Sequence, residues 1–135
     1  MNTFQELSDS MAAAVERAAK SIVTVDARMH VPGSGIIWSA DGYILTAEHL
    51  LQRDEEIRVG LPDGRVLDAT VAGRDPGSDL ALLKVDASGL TPAEWLSWDA
   101  LKVGQLVLAV GRPGDGVEAT VGAVSALRRG RRLGA

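Results

Sequence analysis

Hydrophobic positions near the N-terminus recur at helical spacing. The apolar residues stand three or four positions apart, at Phe4, Leu7, Met11, Ala14 or Val15, and Ala18. Ser8 or Asp9 provides a suitable N-cap for the apolar run that follows. The pattern predicts one short helix over about residues 9–20.

From residue 21 onward the pattern changes to short apolar or alternating runs separated by turn residues. Six such runs lie between residues 21 and 86, at 21–25, 35–39, 43–46, 57–61, 65–71 and 80–85. Ala40-Asp41-Gly42 and Pro62-Asp63-Gly64 supply the chemistry of hairpin turns. The last run is the most apolar and is predicted to be a buried strand. About six strands at this spacing indicate a small all-β barrel or sandwich.

The pattern changes again after residue 86. Residues 87–104 contain Gly89, Pro92 and two tryptophans without alternation, so a connector that packs but does not pair is expected. Two further strands, 106–110 and 118–125, flank a Gly/Pro-rich loop at 111–116 and predict one more hairpin. The predicted organisation is a helical segment 1–20, a barrel 21–86, a connector 87–104 and a last segment 105–135.

Composition limits the classes of protein to which the chain can belong. Hydrophobic residues make up 46 % of the 135 residues, which is enough for one core, and the aromatic fraction of 4 % makes that core aliphatic. The absence of cysteine excludes disulfides, thiolate-bound zinc and a thiol nucleophile. No run is long and apolar enough to span a membrane, and residues 1–20 do not resemble a signal peptide. The compartment, cytoplasmic or exported, stays open.

Charge is distributed unevenly. The net charge is −4, but four arginines, Arg128, Arg129, Arg131 and Arg132, lie close together near the C-terminal end. Without them the chain has 10 basic and 18 acidic residues. An acidic body argues against nucleic acid as the main partner. A nucleic-acid binder that uses this arginine cluster is therefore the weakest functional hypothesis.

Two residues could perform acid–base chemistry. His49 is one of two histidines and follows the strand 43–46, while Asp79 immediately precedes the apolar run 80–85. A carboxylate at the end of a strand can accept the imidazole Nδ1–H, fix its tautomer and stabilise the imidazolium. Taken separately, each residue has a structural alternative, since His49 could be a surface residue and Asp79 a turn residue.

Several stretches resemble the HtrA (Deg) family of trypsin-like serine proteases. Gly33 to Ile37 and Asp41 to His49 resemble the stretch that leads into the family's catalytic histidine, and Asp75 to Val85 resembles the segment with its catalytic aspartate. Residues 101–113 and 119–127 are similar to the start of the family's second barrel. The resemblance implies a chymotrypsin-like fold of two β-barrels, with His49 as general base, Asp79 as its orienting partner and polypeptides as substrates of the full-length protein.

The sequence also departs from the family pattern. The family's nucleophile stands in a Gly-Asn-Ser-Gly-Gly motif beyond the position matched by Arg128, and these 135 residues contain no such motif. Ser34 and Ser125 are poor substitutes, since Ser34 matches a small-residue stretch and Ser125 a strand of the hairpin. Arg112 is followed by Pro113-Gly114-Asp115-Gly116 where the family usually has Gly-Asn-Pro, which leaves the role of this loop open. No cofactor is implied, and the histidine and carboxylate spacing indicates no metal site.

Two other hypotheses remain beside the nucleic-acid one. The first is an N-terminal portion of a serine endopeptidase that lacks its nucleophile and is inactive alone. Its hairpin, the start of an incomplete second barrel, is then expected to pack back on the first barrel or to pair with a second copy of the chain. The alternative is a non-catalytic barrel module for peptide binding or assembly, in which His49 and Asp79 have no catalytic role.

Overall fold

The computed structural model describes residues 2–27, 31–51 and 56–128. Helix α1 is Thr3–Ala19, and short 3-10 turns are formed by Glu48–Leu51 and Trp98–Ala100. The strands are β1 Ile22–Ala27, β2 Gly33–Ile37, β3 Tyr43–Ala47, β4 Ile57–Gly60, β5 Val66–Asp75, β6 Leu80–Val85, β7 Leu106–Gly111 and β8 Glu118–Ala123. Three of the four arginines in the C-terminal cluster, at positions 129, 131 and 132, lie outside the described residues.

Helix α1 begins six residues earlier than the apolar spacing predicted. The side chain of Asn2 accepts a hydrogen bond from the backbone N–H of Gln5 at 2.8 Å, so Asn2 is the N-cap rather than Ser8 or Asp9. An N-cap asparagine satisfies one of the free N–H groups of the first turn. The predicted start at residue 9 was therefore wrong, and Phe4 and Leu7 belong to the helix. The helix contains no buried residue.

Six strands close into an antiparallel barrel in the order β1-β2-β3-β6-β5-β4, with β4 pairing back to β1. This confirms the predicted all-β barrel of about six strands. The core is aliphatic, as the shortage of aromatic residues required. Its most deeply buried side chains are Ile37, Ile44, Leu51, Ile57, Leu83, Val23, Val25, Val59 and Val85.

Strand β6 is buried on one face only. Ala81, Leu83 and Val85 point into the core, while Leu80 is 46 % exposed and Leu82 is half-buried. Successive side chains of a strand point to opposite faces, so a barrel wall can bury only every second residue. The prediction of a buried strand from the apolar run is therefore confirmed for the inward face alone.

Strands β7 and β8 form a separate two-stranded antiparallel sheet. The last cross-strand bonds reach Val124, so Ser125 lies outside β8, and its assignment to a strand was wrong because β7 has no residue opposite it. The hairpin contacts α1, β1 and β2 through β7. It therefore packs back on the barrel, which is the first of the two arrangements expected for it.

The connector between the barrel and the hairpin contains no strand. Its backbone N–H groups at Leu90 and Ala93 donate to the carbonyls of Ala40 and Ile37 at 3.2 and 2.9 Å. The ring of Trp95 lies 5.2 Å from that of Trp38. Across the described part of the chain, no helix is long and apolar enough to cross a membrane.

Candidate active site

His49 and Asp79 are brought together by the pairing of β3 with β6. These strands are antiparallel, and Ala47 at the end of β3 lies opposite Leu80 at the start of β6. The residues that follow β3 and precede β6 are therefore neighbours in space, although they lie far apart in sequence. The 3-10 turn that carries His49 is anchored in the core by Leu51, which is fully buried.

The carboxylate of Asp79 binds His49 through both oxygens. Asp79 Oδ2 lies 2.6 Å from His49 Nδ1, and Asp79 Oδ1 accepts the backbone N–H of His49 at 2.8 Å. A third bond joins the backbone N–H of Glu48 to the carbonyl of Asp79 at 3.0 Å. Together these bonds fix the imidazole ring and the turn that carries it relative to the carboxylate.

Asp79 has a left-handed backbone conformation, with φ at 58°. Aspartate tolerates this region better than most residues, because its short polar side chain can bond locally. The preceding turn is closed by the Asp79 N–H, which donates to the Pro76 carbonyl at 3.3 Å. Asp79 is therefore a turn residue and at the same time the hydrogen-bond partner of His49.

Hydrogen bonding lowers the pKa of Asp79. The side chain of His49 makes the largest contribution, followed by the His49 backbone N–H, and together they hold this pKa below its ordinary value of 3.8. Both side chains stay accessible, at 64 % exposure for His49 and 49 % for Asp79. Asp79 is therefore an anion at neutral pH, and the imidazole can reach a partner from outside the barrel.

A half-buried ion pair supports the histidine turn. Arg74 Nη1 lies 3.2 Å from Glu48 Oε1, with the two side chains 25 % and 20 % exposed. Arg74 belongs to β5 and Glu48 immediately precedes His49, so the pair ties the turn to a third strand. Sequence reasoning missed it, because nothing near either residue marks a partner 26 positions away.

A mostly apolar cavity of about 290 Å³ lies beside Asp79. It opens between the barrel and the hairpin, and its lining includes Leu45, Asp79, Leu80 and Val110. Apolar side chains that converge next to charged groups are typical of sites that bind organic ligands or peptides.

Neither alternative serine makes a hydrogen bond with His49. The hydroxyl of Ser34 accepts the backbone N–H of Arg112 at 2.7 Å, and its carbonyl accepts the Thr46 hydroxyl at 2.9 Å. Ser125 makes no hydrogen bond with His49 within the described residues. The same residues contain no group of three or more His, Cys, Asp or Glu that could hold a metal ion.

The profile of the trypsin-like peptidase domain matches residues 33–134, a stretch that includes His49, Asp79 and the hairpin. The chain belongs to the trypsin-like peptidase family. Within this family, the resemblance to HtrA (Deg)-type proteases is confirmed by similarity to curated relatives.

Three relatives illustrate this similarity. A probable periplasmic serine endoprotease DegP-like from Ectopseudomonas mendocina is 49 % identical over 102 residues, covering 75 % of the chain and 21 % of the relative. Periplasmic serine endoprotease DegP from Escherichia coli K12 is 44 % identical over 100 residues, covering 72 % and 21 %. Serine endoprotease DegS from Haemophilus influenzae is 42 % identical over 98 residues, covering 72 % and 29 %. The trypsin-like chain thus matches between about a fifth and a third of their lengths.

Proposed function

We propose that the chain supplies the general base, His49, and its orienting carboxylate, Asp79, to a serine endopeptidase. The observation that carries the proposal is the 2.6 Å contact between His49 Nδ1 and Asp79 Oδ2 in a trypsin-like peptidase domain. Relatives described as serine endoproteases add support. Polypeptides are the substrate class that follows.

The geometry suits proton transfer at the other ring nitrogen. Asp79 is ionised and holds the proton of His49 on Nδ1, which leaves the Nε2 lone pair to accept a proton. In the proposed reaction, Nε2 takes the proton of a serine hydroxyl as its oxygen attacks the scissile carbonyl. Asp79 stabilises the resulting imidazolium, which then protonates the leaving amine.

The nucleophile of this reaction is not among the 135 residues. No serine stands in a Gly-Asn-Ser-Gly-Gly motif, and Ser34 is engaged by Arg112. His49 and Asp79 without a serine cannot form an acyl-enzyme. We therefore expect the 135-residue chain alone to be inactive as a serine endopeptidase.

The coding sequence downstream of residue 135 provides the first test. We expect it to continue into a Gly-x-Ser-Gly-Gly motif, and a continuation without a serine motif would contradict the proposal. The protein expressed with that continuation should hydrolyse casein. Asp79→Asn should lower kcat by about ten-thousandfold, and His49→Ala by about a millionfold. Asp68→Asn, at an exposed carboxylate on the barrel wall, is the matched control and should leave the rate unchanged.

The cavity beside Asp79 favours one alternative function, in which the chain binds peptides without hydrolysing them. An apolar cavity can accept side chains of an extended peptide whether or not a nucleophile is present. In that case Leu45→Gln should weaken binding of an apolar peptide to the 135-residue chain. His49→Ala should leave this binding unchanged, and the extended protein should not hydrolyse casein.

Self-association through the hairpin stays a prediction. Every residue of β8 is exposed, and an exposed strand can pair with another chain. Sedimentation equilibrium should then show a dimer whose population falls when Val121→Lys places a charge on this strand. A monomer at all concentrations would contradict this prediction.

A further inference from the structure

Arg112 joins three separate parts of the chain through its guanidinium group. Nε donates to the carbonyl of Ile22 at the start of β1 at 2.9 Å, and Nη2 donates to the carbonyl of Ala19 at the end of α1 at 3.1 Å. Nη1 donates to the carbonyl of Asp115 within the hairpin loop at 3.3 Å. The rigid, multidentate guanidinium can serve several acceptors at once, which a lysine ammonium does with less geometric control.

The backbone around Arg112 adds two links to the barrel. The N–H of Arg112 donates to Ser34 Oγ at 2.7 Å, and the Thr24 hydroxyl donates to the carbonyl of Gly114 at 2.8 Å. A methyl group built on Gly111 would lie 3.0 Å from Ser34 Oγ, so the hairpin approaches β2 closely at this point. We call these contacts of Arg112, Ser34 and Thr24 the Arg112 clasp.

None of the three elements α1, β7 and β8 contributes a fully buried side chain to the contact between them. Helix α1 has no buried residue, β8 is exposed throughout, and β7 is exposed or half-buried. The guanidinium also lies at the C-terminal end of α1, where a positive charge is favourable to the helix dipole. The polar clasp, rather than a shared core, therefore has the geometry to fix the position of hairpin and helix.

We propose that Arg112 is a positioning residue that holds the β7–β8 hairpin and the end of α1 in one orientation against the barrel. The clasp also reaches towards the candidate active site, because the carbonyl of Ser34 accepts the hydroxyl of Thr46, three residues before His49. If the proposed function holds, on which this last step rests, the clasp sets the orientation of the second half of the protease relative to His49.

The absence of cysteine allows the orientation to be measured directly. Thr70→Cys on β5 and Thr120→Cys on β8 provide exposed positions for two nitroxide spin labels. Double electron–electron resonance then gives the distribution of distances between the labels. With Arg112 intact, a single narrow distribution is expected. Arg112→Met should broaden it or add a second peak. Arg65→Met, which removes a guanidinium bonded to Asp63 within its own turn, should leave it narrow.

Hydrogen exchange provides a second readout of the same variants. Backbone amides of β7 and β8 should exchange about tenfold faster in Arg112→Met, since one net hydrogen bond to a charged group changes an opening equilibrium by about this factor. Amides of Ile44 and Leu83 in the barrel core should keep their rates. Arg112→Lys, which keeps the charge without the fork of donors, should fall between the two.

The outcomes separate the proposals. A narrow, unchanged distribution in Arg112→Met, or a broad one with Arg112 intact, would overturn the positioning role. If Arg112→Met fails to fold, Arg112→Lys and Ser34→Ala are measured instead; broadening supports the role, and unchanged narrow distributions overturn it. None of these measurements requires a nucleophile, so they stand apart from the casein assay that tests the protease proposal.

Discussion

Leu83 offers a quantitative test of the barrel that holds the two site residues together. Its side chain is fully buried in β6, and its register partner on β3 is Ile44, which is also fully buried. Leu83→Ala removes three buried carbon atoms from the core. At about 0.8 kcal/mol per methylene, the lost free energy of transfer from water to the core is about 2 kcal/mol. The cavity left behind adds to this loss, and the expected total is about 3 kcal/mol.

Leu80→Ala is the matched control for this change. It is the same substitution on the same strand, but Leu80 is 46 % exposed and leaves no enclosed cavity. Because about half of the Leu80 side chain is already in water, only about half of the transfer free energy is lost, and the expected loss of stability is about 1 kcal/mol. Urea unfolding followed by tryptophan fluorescence and circular dichroism measures both variants. Equal losses for Leu83→Ala and Leu80→Ala would refute the assignment of Leu83 to the core.

Three further predictions concern the site and the turns. Asp79→Asn should be less stable than the unaltered chain above pH 3.8, and this difference in stability should shrink as acid protonates Asp79 at its lowered pKa. Urea unfolding at several pH values measures the difference in stability. A difference that grows in acid would contradict the prediction. Gly42→Ala should lower the melting temperature more than Gly64→Ala. Both glycines have positive φ, but a methyl group at Gly42 would lie 2.3 Å from the Val85 carbonyl, whereas nothing lies within 4 Å at Gly64; equal shifts would count against the Gly42 clash. A fluorophosphonate probe should not label the 135-residue chain, and robust labelling would show a nucleophile that the account lacks.

The barrel could be predicted from the sequence because its signals are local. Short apolar runs separated by turn residues mark strands one at a time, as at Asp41-Gly42 and Asp63-Gly64. The start of helix α1 was predicted wrongly because two local signals competed. Asn2 and Ser8 are both good caps, and the apolar face of the helix extends through Phe4 in either case, so the spacing could not select the start.

The site was less accessible to local reasoning. His49 and Asp79 meet through the pairing of β3 with β6, strands that are not consecutive, and the two residues are 30 positions apart. Only the family resemblance indicated that they belong together. The contacts of Arg112 with α1, β1 and β2 span 78 to 93 positions, and no local pattern marks their partners, which are two backbone carbonyls and one serine hydroxyl.

We propose that Asp79 orients His49 for proton transfer through Nε2. Nitrogen-15 NMR of the His49 ring in the folded chain tests this role most directly, because the two ring nitrogens give distinct signals for each tautomer. Near neutral pH the neutral imidazole should carry its proton on Nδ1, and Asp79→Asn should shift the population towards the Nε2–H tautomer. A predominant Nε2–H form in the unaltered chain, or a tautomer ratio that does not respond to Asp79→Asn, would contradict the account.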